Sequence, residues 1–171
     1  MGRFGCRLGS CWRTSSHCAR AQGHLSNQDL NPWTRRIQRI LVDSRGWIDF
    51  FRGQRSAACE ALAQCLGDAS LEVGMPDLVL FEVMRGFREN RAMHAAQAFL
   101  TALPQVEIGG SEHALKAAAR YRQLRAQGRT VNSPIDVLLA SFCMDQGHVL
   151  LHNDADFESL QILGSLDTWP H

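Results

Sequence analysis

The chain has 171 residues, enough for one compact domain and short for two. Apolar residues make up 45% of it, and no run approaches the roughly 18 uninterrupted apolar residues of a membrane helix. The N-terminus also lacks the apolar core of a signal peptide, so we expect no membrane association, no secretion and a cytoplasmic location.

Residues 1–38 differ from the rest of the chain in composition. Residues 1–40 carry seven Arg and a single acid, Asp29, whereas the remainder has eleven basic and sixteen acidic side chains. Because residues 1–38 show neither helical nor strand periodicity, we expect a disordered basic extension. Two interpretations are open, an arm that binds RNA and an extension that results from a wrongly chosen start codon. The folded domain is predicted over residues 39–171.

Beyond residue 38, short apolar runs alternate with helical patterns. The runs 40–42, 106–108 and 149–151 predict buried parallel strands, and Leu166 is considered as the start of a further edge strand. Helices are predicted over residues 47–52, 57–66, 91–103, 111–127, 133–146 and 157–163, and after a few extended residues from Pro76 in a segment that carries Glu82. This alternation predicts an α/β fold with a central parallel sheet of four to five short strands flanked by helices.

Four acidic residues stand where a charge is unexpected. Asp43 and Asp154 each follow an apolar strand, and ligand sites of open α/β folds lie beyond the carboxyl ends of the strands. Glu82 is flanked on both sides by apolar residues, and Asp136 lies in a first helical turn that leads into an apolar run. Partly buried acids need partners, and a cluster of them needs cations.

Phosphodiester cleavage is the chemistry that such a cluster fits. Carboxylate oxygens bind Mg²⁺ or Mn²⁺, and a bound metal turns water into a nucleophile. The sequence has no GxSxG nucleophile motif and no glycine-rich phosphate loop.

Each acid also has a purely structural explanation. Asp136 stabilises the N-terminus of its helix, and Glu82 pairs with Arg85 one turn on. Asp43 caps the helix that follows it, and Asp154 belongs to a solvated turn. The occurrence of all four in one small α/β chain favours the catalytic interpretation.

Three segments resemble the motifs of VapC-type PIN domains, the ribonuclease toxins of bacterial type II toxin–antitoxin pairs. The segments are ILVDSRGWIDFF, PDLVLFEVMRGF and NSPIDVLLASFCMDQGHVLLHNDADF. The similarity spans about residues 40–168, and the extension before it has no counterpart. The resemblance implies a PIN fold and a Mg²⁺-dependent endoribonuclease, with Mn²⁺ as a second suitable ion. It also implies inhibition by a cognate VapB-type antitoxin and a homodimer.

The same resemblance assigns the metal-binding and catalytic acids. By position they are Asp43, Glu82, Asp136 and Asp154. Asp156 is a further candidate metal ligand, since the last motif offers two carboxylates.

Serines and arginines complete the predicted site. Ser44 and Ser133 occupy positions where small polar residues support the acids. Contacts with RNA are predicted for Arg45, Arg85, Arg122 and Arg125. Arg45 departs from the small residue that the family pattern has after Asp43-Ser44, and an ordinary surface arginine is the alternative. For Arg122 and Arg125, an ordinary solvated helix face is the alternative.

Two other functions remain open. The first is a binding module that acts with its antitoxin on operator DNA and has little nuclease activity; retention of the four acids argues against it. The second is a phosphatase with Asp43 as nucleophile, a chemistry that usually needs a second acid where this chain has Arg45. The six cysteines form no C-x-x-C pair, so we interpret them as thiols of a reducing compartment.

Overall fold

The computed structural model describes residues 37–88 and 90–169. Residues 1–36, which make up nearly all of the predicted basic extension, lie outside the described residues. No helix in the described part is both long and apolar enough to cross a bilayer.

Strands and helices alternate along the described part of the chain. The strands are β1 Gln38–Val42, β2 Leu71–Pro76, β3 Gln105–Val106 and β4 Val149–Leu151. The helices are α1 Ser44–Phe51, α2 Ala57–Gly67, α3 Asp77–Arg85, α4 Arg91–Thr101, α5 Ser111–Ala126, α6 Pro134–Gln146 and α7 Asp156–Gln161.

The four strands form one parallel sheet in the order β3-β2-β1-β4. Central β1 pairs with β2 on one side and β4 on the other, so that Ile40 lies opposite Val73 and Val149. A single parallel bridge joins Leu150 to Thr168 beside β4, which is all that forms of the edge strand considered at Leu166. The predicted parallel α/β fold is confirmed.

Burial on both faces of the sheet explains why β1 and β4 appear in the sequence as apolar runs. Ile40, Leu41 and Val42 of β1 are fully buried, as are Leu150 and Leu151 of β4. The sequence predicts both of these strands, and it also predicts the run 106–108, which overlaps β3.

Strand β2 is not predicted by the sequence pattern. Only a few extended residues were expected from Pro76, whereas the strand ends at that residue. The sequence LEVGMP hides it because a glutamate and a glycine interrupt the apolar pattern. Gly74 is needed there, since a Cβ at this position would lie 2.9 Å from Leu41 Cδ2 and 3.0 Å from Val106 Cγ2.

Strand β3 is shorter and begins earlier than the predicted run 106–108. It pairs only Gln105 and Val106 with the end of β2. Ile108 is fully buried, but its backbone N–H donates to Asp77 Oδ1 at 3.0 Å and not to a strand. The Asp77 carboxylate thus accepts the hydrogen bond that a neighbouring strand would otherwise accept.

Candidate active site

The four predicted acids lie together at the carboxyl end of the sheet. Asp43 follows β1 and Asp154 follows β4, and these two strands are neighbours. Glu82 is carried by α3, which follows β2, and Asp136 lies in the first turn of α6. All four line one cleft of about 730 Å³.

Asp43 is the most buried member of the cluster, with 2% of the residue exposed. It caps α1, because its Oδ1 accepts from the Gly46 backbone N–H at 2.6 Å. The Asn153 backbone N–H lies 3.5 Å from the other oxygen. Burial raises the pKa of Asp43 to about 6, although these two hydrogen bonds oppose the shift.

Asp136 is 8% exposed and is held at the start of α6. Its own backbone N–H donates to Ser133 Oγ at 3.3 Å, so Ser133 caps the helix. Burial, together with the negative charges of Asp43, Glu82 and Asp154, raises the pKa of Asp136 to about 7. The four carboxylates therefore act on one another electrostatically.

The cluster divides into an inner pair, Asp43 and Asp136, and an outer pair, Glu82 and Asp154. Each outer acid has an arginine beside it. Arg85 Nη2 lies 3.7 Å from Glu82 Oε1, and Arg45 Nη2 lies 3.1 Å from Asp154 Oδ2. Within the described part of the chain, neither inner acid has a cationic side chain within 4 Å.

Several residues of the cleft were not predicted. Asp49, Arg52 and Asn153 line it together with the acids, and Asn153 Nδ2 donates to Asp49 Oδ2 at 3.2 Å. A signal was present in the sequence, because positions 45, 49 and 52 are spaced to share one face of a helix. The sequence alone did not show that this face borders the acids.

The remaining predicted residues fall into two groups. Ser44, Ser133 and Arg45 line the cleft. Arg122 and Arg125 are exposed on α5 and do not line it; Arg125 Nη1 donates to Thr130 Oγ1 at 2.6 Å.

Asp156 also lies outside the set of residues that line the cleft. Its Oδ2 accepts from the Asn132 backbone N–H at 3.0 Å, and its own backbone N–H donates to Asp154 Oδ1 at 3.1 Å. Of the two carboxylates in the last motif, Asp154 is therefore the one that faces the inner pair.

The donor set of the cleft suits a hard divalent cation. Carboxylate oxygens are the preferred protein ligands of Mg²⁺, which usually binds through one or two of them and retains several waters. As placed, no three Asp, Glu, His or Cys side chains in residues 37–88 and 90–169 form a group that would hold an ion. The residues that would hold such an ion are the inner pair, because neither of them has a cationic side chain within 4 Å in the described part of the chain.

Gly46 is required by the close approach of the Asp43 carboxylate. A Cβ at residue 46 would lie 2.8 Å from Asp43 Oδ1 and 3.0 Å from Val42 Cγ1. Gly to Ala normally stabilises a helix by about 1 kcal/mol. We expect Gly46→Ala to have the opposite sign and to destabilise the protein by about 1–3 kcal/mol, measured by urea unfolding.

Gly67→Ala is the matched control for that measurement. Gly67 ends α2, and a Cβ there would meet no atom within 4 Å. We expect this substitution to be neutral or mildly stabilising. Equal effects of the two substitutions would contradict the packing of Gly46 against Asp43.

Comparison with known proteins identifies the class. The family model described as PIN domain matches residues 40–163. The chain belongs to the PIN domain family, and the resemblance seen in its motifs is confirmed.

Two individual relatives are similar to this chain over most of its length. A VapC ribonuclease from Mycobacterium bovis and ribonuclease VapC11 from Mycobacterium tuberculosis are each 26% identical over 127 residues. Those alignments cover 74% of this chain and 95% of each relative. The chain is thus similar to nearly the whole of these two proteins.

Solved structures share the fold at lower identity. VapBC2 from Rickettsia felis, bound to a DNA fragment from its promoter, has a TM-score of 0.60 at 14% identity, covering 77% of this chain and 98% of that one. VapC20 from Mycobacterium tuberculosis, a toxin that cleaves the sarcin–ricin loop, has a TM-score of 0.55 at 19% identity, covering 77% and 99%. Both likenesses agree with the four-stranded parallel sheet described above.

Proposed function

We propose that this chain is a metal-dependent endoribonuclease of the VapC type and the toxin of a toxin–antitoxin pair. The observation that carries the proposal is the cleft in which Asp43, Glu82, Asp136 and Asp154 meet at the carboxyl end of a PIN-family sheet. The ribonuclease names of the relatives from Mycobacterium support the same reaction class.

The residues of the cleft prepare it for a cation before any ion binds. Asp43 is fixed by its hydrogen bonds with Gly46 and Asn153, and Asp136 is fixed by the first turn of α6. Their side chains therefore need little reorganisation to receive Mg²⁺ or Mn²⁺. A Mg²⁺ ion bound there would lower the pKa of a water ligand and neutralise charge on the phosphodiester. The outer pair, Glu82 and Asp154, would hold further ligand positions or waters.

An acidic cleft must also tolerate a polyanion. The bound cation reverses the local charge, and the two arginines that line the α1 side, Arg45 and Arg52, supply positive charge next to it. Arg85 lies beside Glu82 and extends this positive charge along α3. RNA binding by Arg122 and Arg125 would need a strand that continues beyond the cleft.

A protein partner belongs to the same proposal. The solved VapBC structures from Rickettsia felis and Salmonella typhimurium are complexes bound to DNA. By analogy, we propose a VapB-type antitoxin as the partner of this chain, a homodimer as its own assembly and the cytoplasm as its location.

Cleavage of total cellular RNA tests the proposal. Purified, antitoxin-free protein is incubated with RNA and Mg²⁺ or Mn²⁺, with and without EDTA, beside an Asp136→Asn variant. We expect discrete fragments that disappear with EDTA and in the variant. The variant retains the Ser133 cap, because the hydrogen bond uses the Asp136 backbone N–H.

The absence of RNA cleavage would favour a different function. RNA that stays intact under every condition, from protein shown to be folded, would contradict the nuclease. It would favour the operator-DNA function, which binding to promoter DNA in the presence of an antitoxin would then establish.

A further inference from the structure

Arg45 occupies an unusual position for a residue beside a metal site. It lies in the first turn of α1, two residues after Asp43, and its guanidinium reaches Asp154 at 3.1 Å across the cleft. The Arg45 side chain is 58% exposed, whereas that of Asp154 is 22% exposed. The guanidinium therefore stands at the solvent side of an acid that points into the cleft.

The charge balance of the cleft explains why an arginine is held there. Five carboxylates line it and only two guanidiniums do, those of Arg45 and Arg52. Of these two arginines, only Arg45 forms an ion pair with one of the four clustered acids in the described part of the chain. Without a metal, Arg45 thus acts as the counter-ion of Asp154.

This ion pair is easily exchanged. Ion pairs at this exposure contribute only about 0.2–1 kcal/mol, because water competes for both partners. A divalent cation next to the inner pair attracts the Asp154 carboxylate more strongly than one guanidinium does, and it repels that guanidinium. Metal binding and the Arg45–Asp154 contact therefore oppose each other.

We propose that Arg45 is a built-in counter-ion that leaves Asp154 when the divalent cation binds and then binds a phosphate of the RNA. This inference rests on the metal-dependent nuclease proposed above and adds a link between metal loading and substrate binding. A guanidinium is suited to the second role, since it donates two parallel hydrogen bonds to phosphate oxygens. The exposure of Arg45 leaves it free to turn towards a strand in the cleft.

The exchange predicts opposite effects of one substitution on two ligands. Removing the Arg45 side chain frees Asp154 in advance, so the protein alone should bind the cation more tightly. The same substitution removes a phosphate contact, so the loaded enzyme should bind RNA more weakly. The loss of one positive charge from the cleft should act alike at Arg45 and Arg52, whereas the exchange predicts clearly tighter metal binding only when Arg45, the partner of Asp154, is removed.

Mn²⁺ titration of wild-type protein and Arg45→Ala tests the first effect, with free Mn²⁺ measured by electron paramagnetic resonance. We expect Arg45→Ala to bind Mn²⁺ about fivefold more tightly. Arg52→Ala is the matched control, because Arg52 lines the same cleft, lies on the same helix face and forms no ion pair with Asp154 in the described part of the chain. Its Mn²⁺ affinity should stay within about twofold of wild type.

Steady-state cleavage at saturating Mn²⁺ tests the second effect. We expect Arg45→Ala to raise the KM for RNA by about fivefold to tenfold with a smaller change in kcat. An unchanged KM would overturn the transfer to phosphate.

The two proposals fail in different ways. Equal Mn²⁺ affinities of Arg45→Ala and Arg52→Ala would overturn the counter-ion role and leave the nuclease proposal intact. A wild-type protein that binds no Mn²⁺ would overturn both.

Discussion

The metal-free Asp43→Asn variant should unfold at a higher temperature than the wild-type protein at pH 8. Asp43 is buried and lies near the charge of Asp154, and its pKa is raised from 3.8 to about 6. Its ionised form is therefore costly in the folded state, and removing the charge should add about 1–3 kcal/mol to the free energy of unfolding. For a domain of this size, the melting temperature should rise by about 4–10 °C.

The pH dependence of the wild-type protein follows from the same shift. Between the ordinary pKa of 3.8 and about 6, folded Asp43 retains a proton that the unfolded chain has released. Asp136 extends this interval, since its pKa is raised to about 7. Because the folded state binds more protons, the metal-free stability should fall as the pH rises from about 4 to about 7. In Asp43→Asn the fall should be shallower.

A second substitution at the same site separates charge from capping. Asn can accept the hydrogen bond from Gly46 that Asp43 accepts, whereas Ala cannot. Asp43→Ala should therefore be less stable than Asp43→Asn by about 1 kcal/mol. A destabilised Asp43→Asn protein at pH 8 would mean that the two backbone hydrogen bonds to the ionised carboxylate outweigh the cost of its burial, contrary to the expected result.

Loss of the Asp43 charge should weaken metal binding and RNA cleavage. Mg²⁺ should raise the melting temperature of the wild-type protein, because an ion that binds only the folded state stabilises that state. The ion should have little effect on the melting temperature of Asp43→Asn, because this variant lacks one of the carboxylates that would bind it. RNA cleavage by Asp43→Asn should fall by about a thousandfold. A stability gain together with an activity loss is the signature of a functional acid, which a merely structural Asp43 would not produce.

Local sequence signals were enough to predict β1, β4 and the acids that follow them. The uninterrupted apolar runs of β1 and β4 are readable because both faces of these strands are buried. The acids that end them are recognisable because parallel strands deliver their carboxyl ends to one edge. Asp136 was readable through the Ser133-Pro134 helix start, which the structure confirms.

Features that depend on residues distant in the sequence but close in space could not be predicted from the sequence. Gly74 looks like a strand breaker in the sequence, yet it is the close approach of Leu41 and Val106 that requires it. Among the arginines of α5, Arg122 and Arg125 are exposed, whereas Arg120 has a partner 25 residues further along the chain. Arg120 turns inward and hydrogen-bonds with Asp145 and Ser141 of α6.

The ion pair of Arg45 on α1 likewise depends on a residue that is distant in the sequence. Arg45 was recognised as a departure from the family pattern, but its partner Asp154 is distant in sequence. Only the pairing of β1 with β4 brings the two residues together. In the structure, Arg45 forms an ion pair with one of the clustered acids, a contact that the sequence alone does not predict.

Trp47→Ala should cause the largest loss of stability of any substitution considered. Trp47 is fully buried, and its ring centroid lies 6.2 Å from those of Phe50, Phe51 and Phe99. Truncation removes a large apolar surface and leaves a cavity at the junction of α1 with α4. We expect the free energy of unfolding to fall by about 3–5 kcal/mol, measured by urea unfolding.

Two further variants show whether packing is the cause. Phe99→Ala removes a partner that is 40% exposed and should cost only about 1–2 kcal/mol. Trp47→Phe should cost less than Trp47→Ala, because it keeps an aromatic ring and removes an indole N–H that has no hydrogen-bond partner among the described residues. A Trp47→Ala protein as stable as Phe99→Ala would place the core elsewhere. Because α1 also carries Arg45 and Asp49, the folded fraction of Trp47→Ala should cleave RNA more slowly than wild type, which links this packing to the cleft.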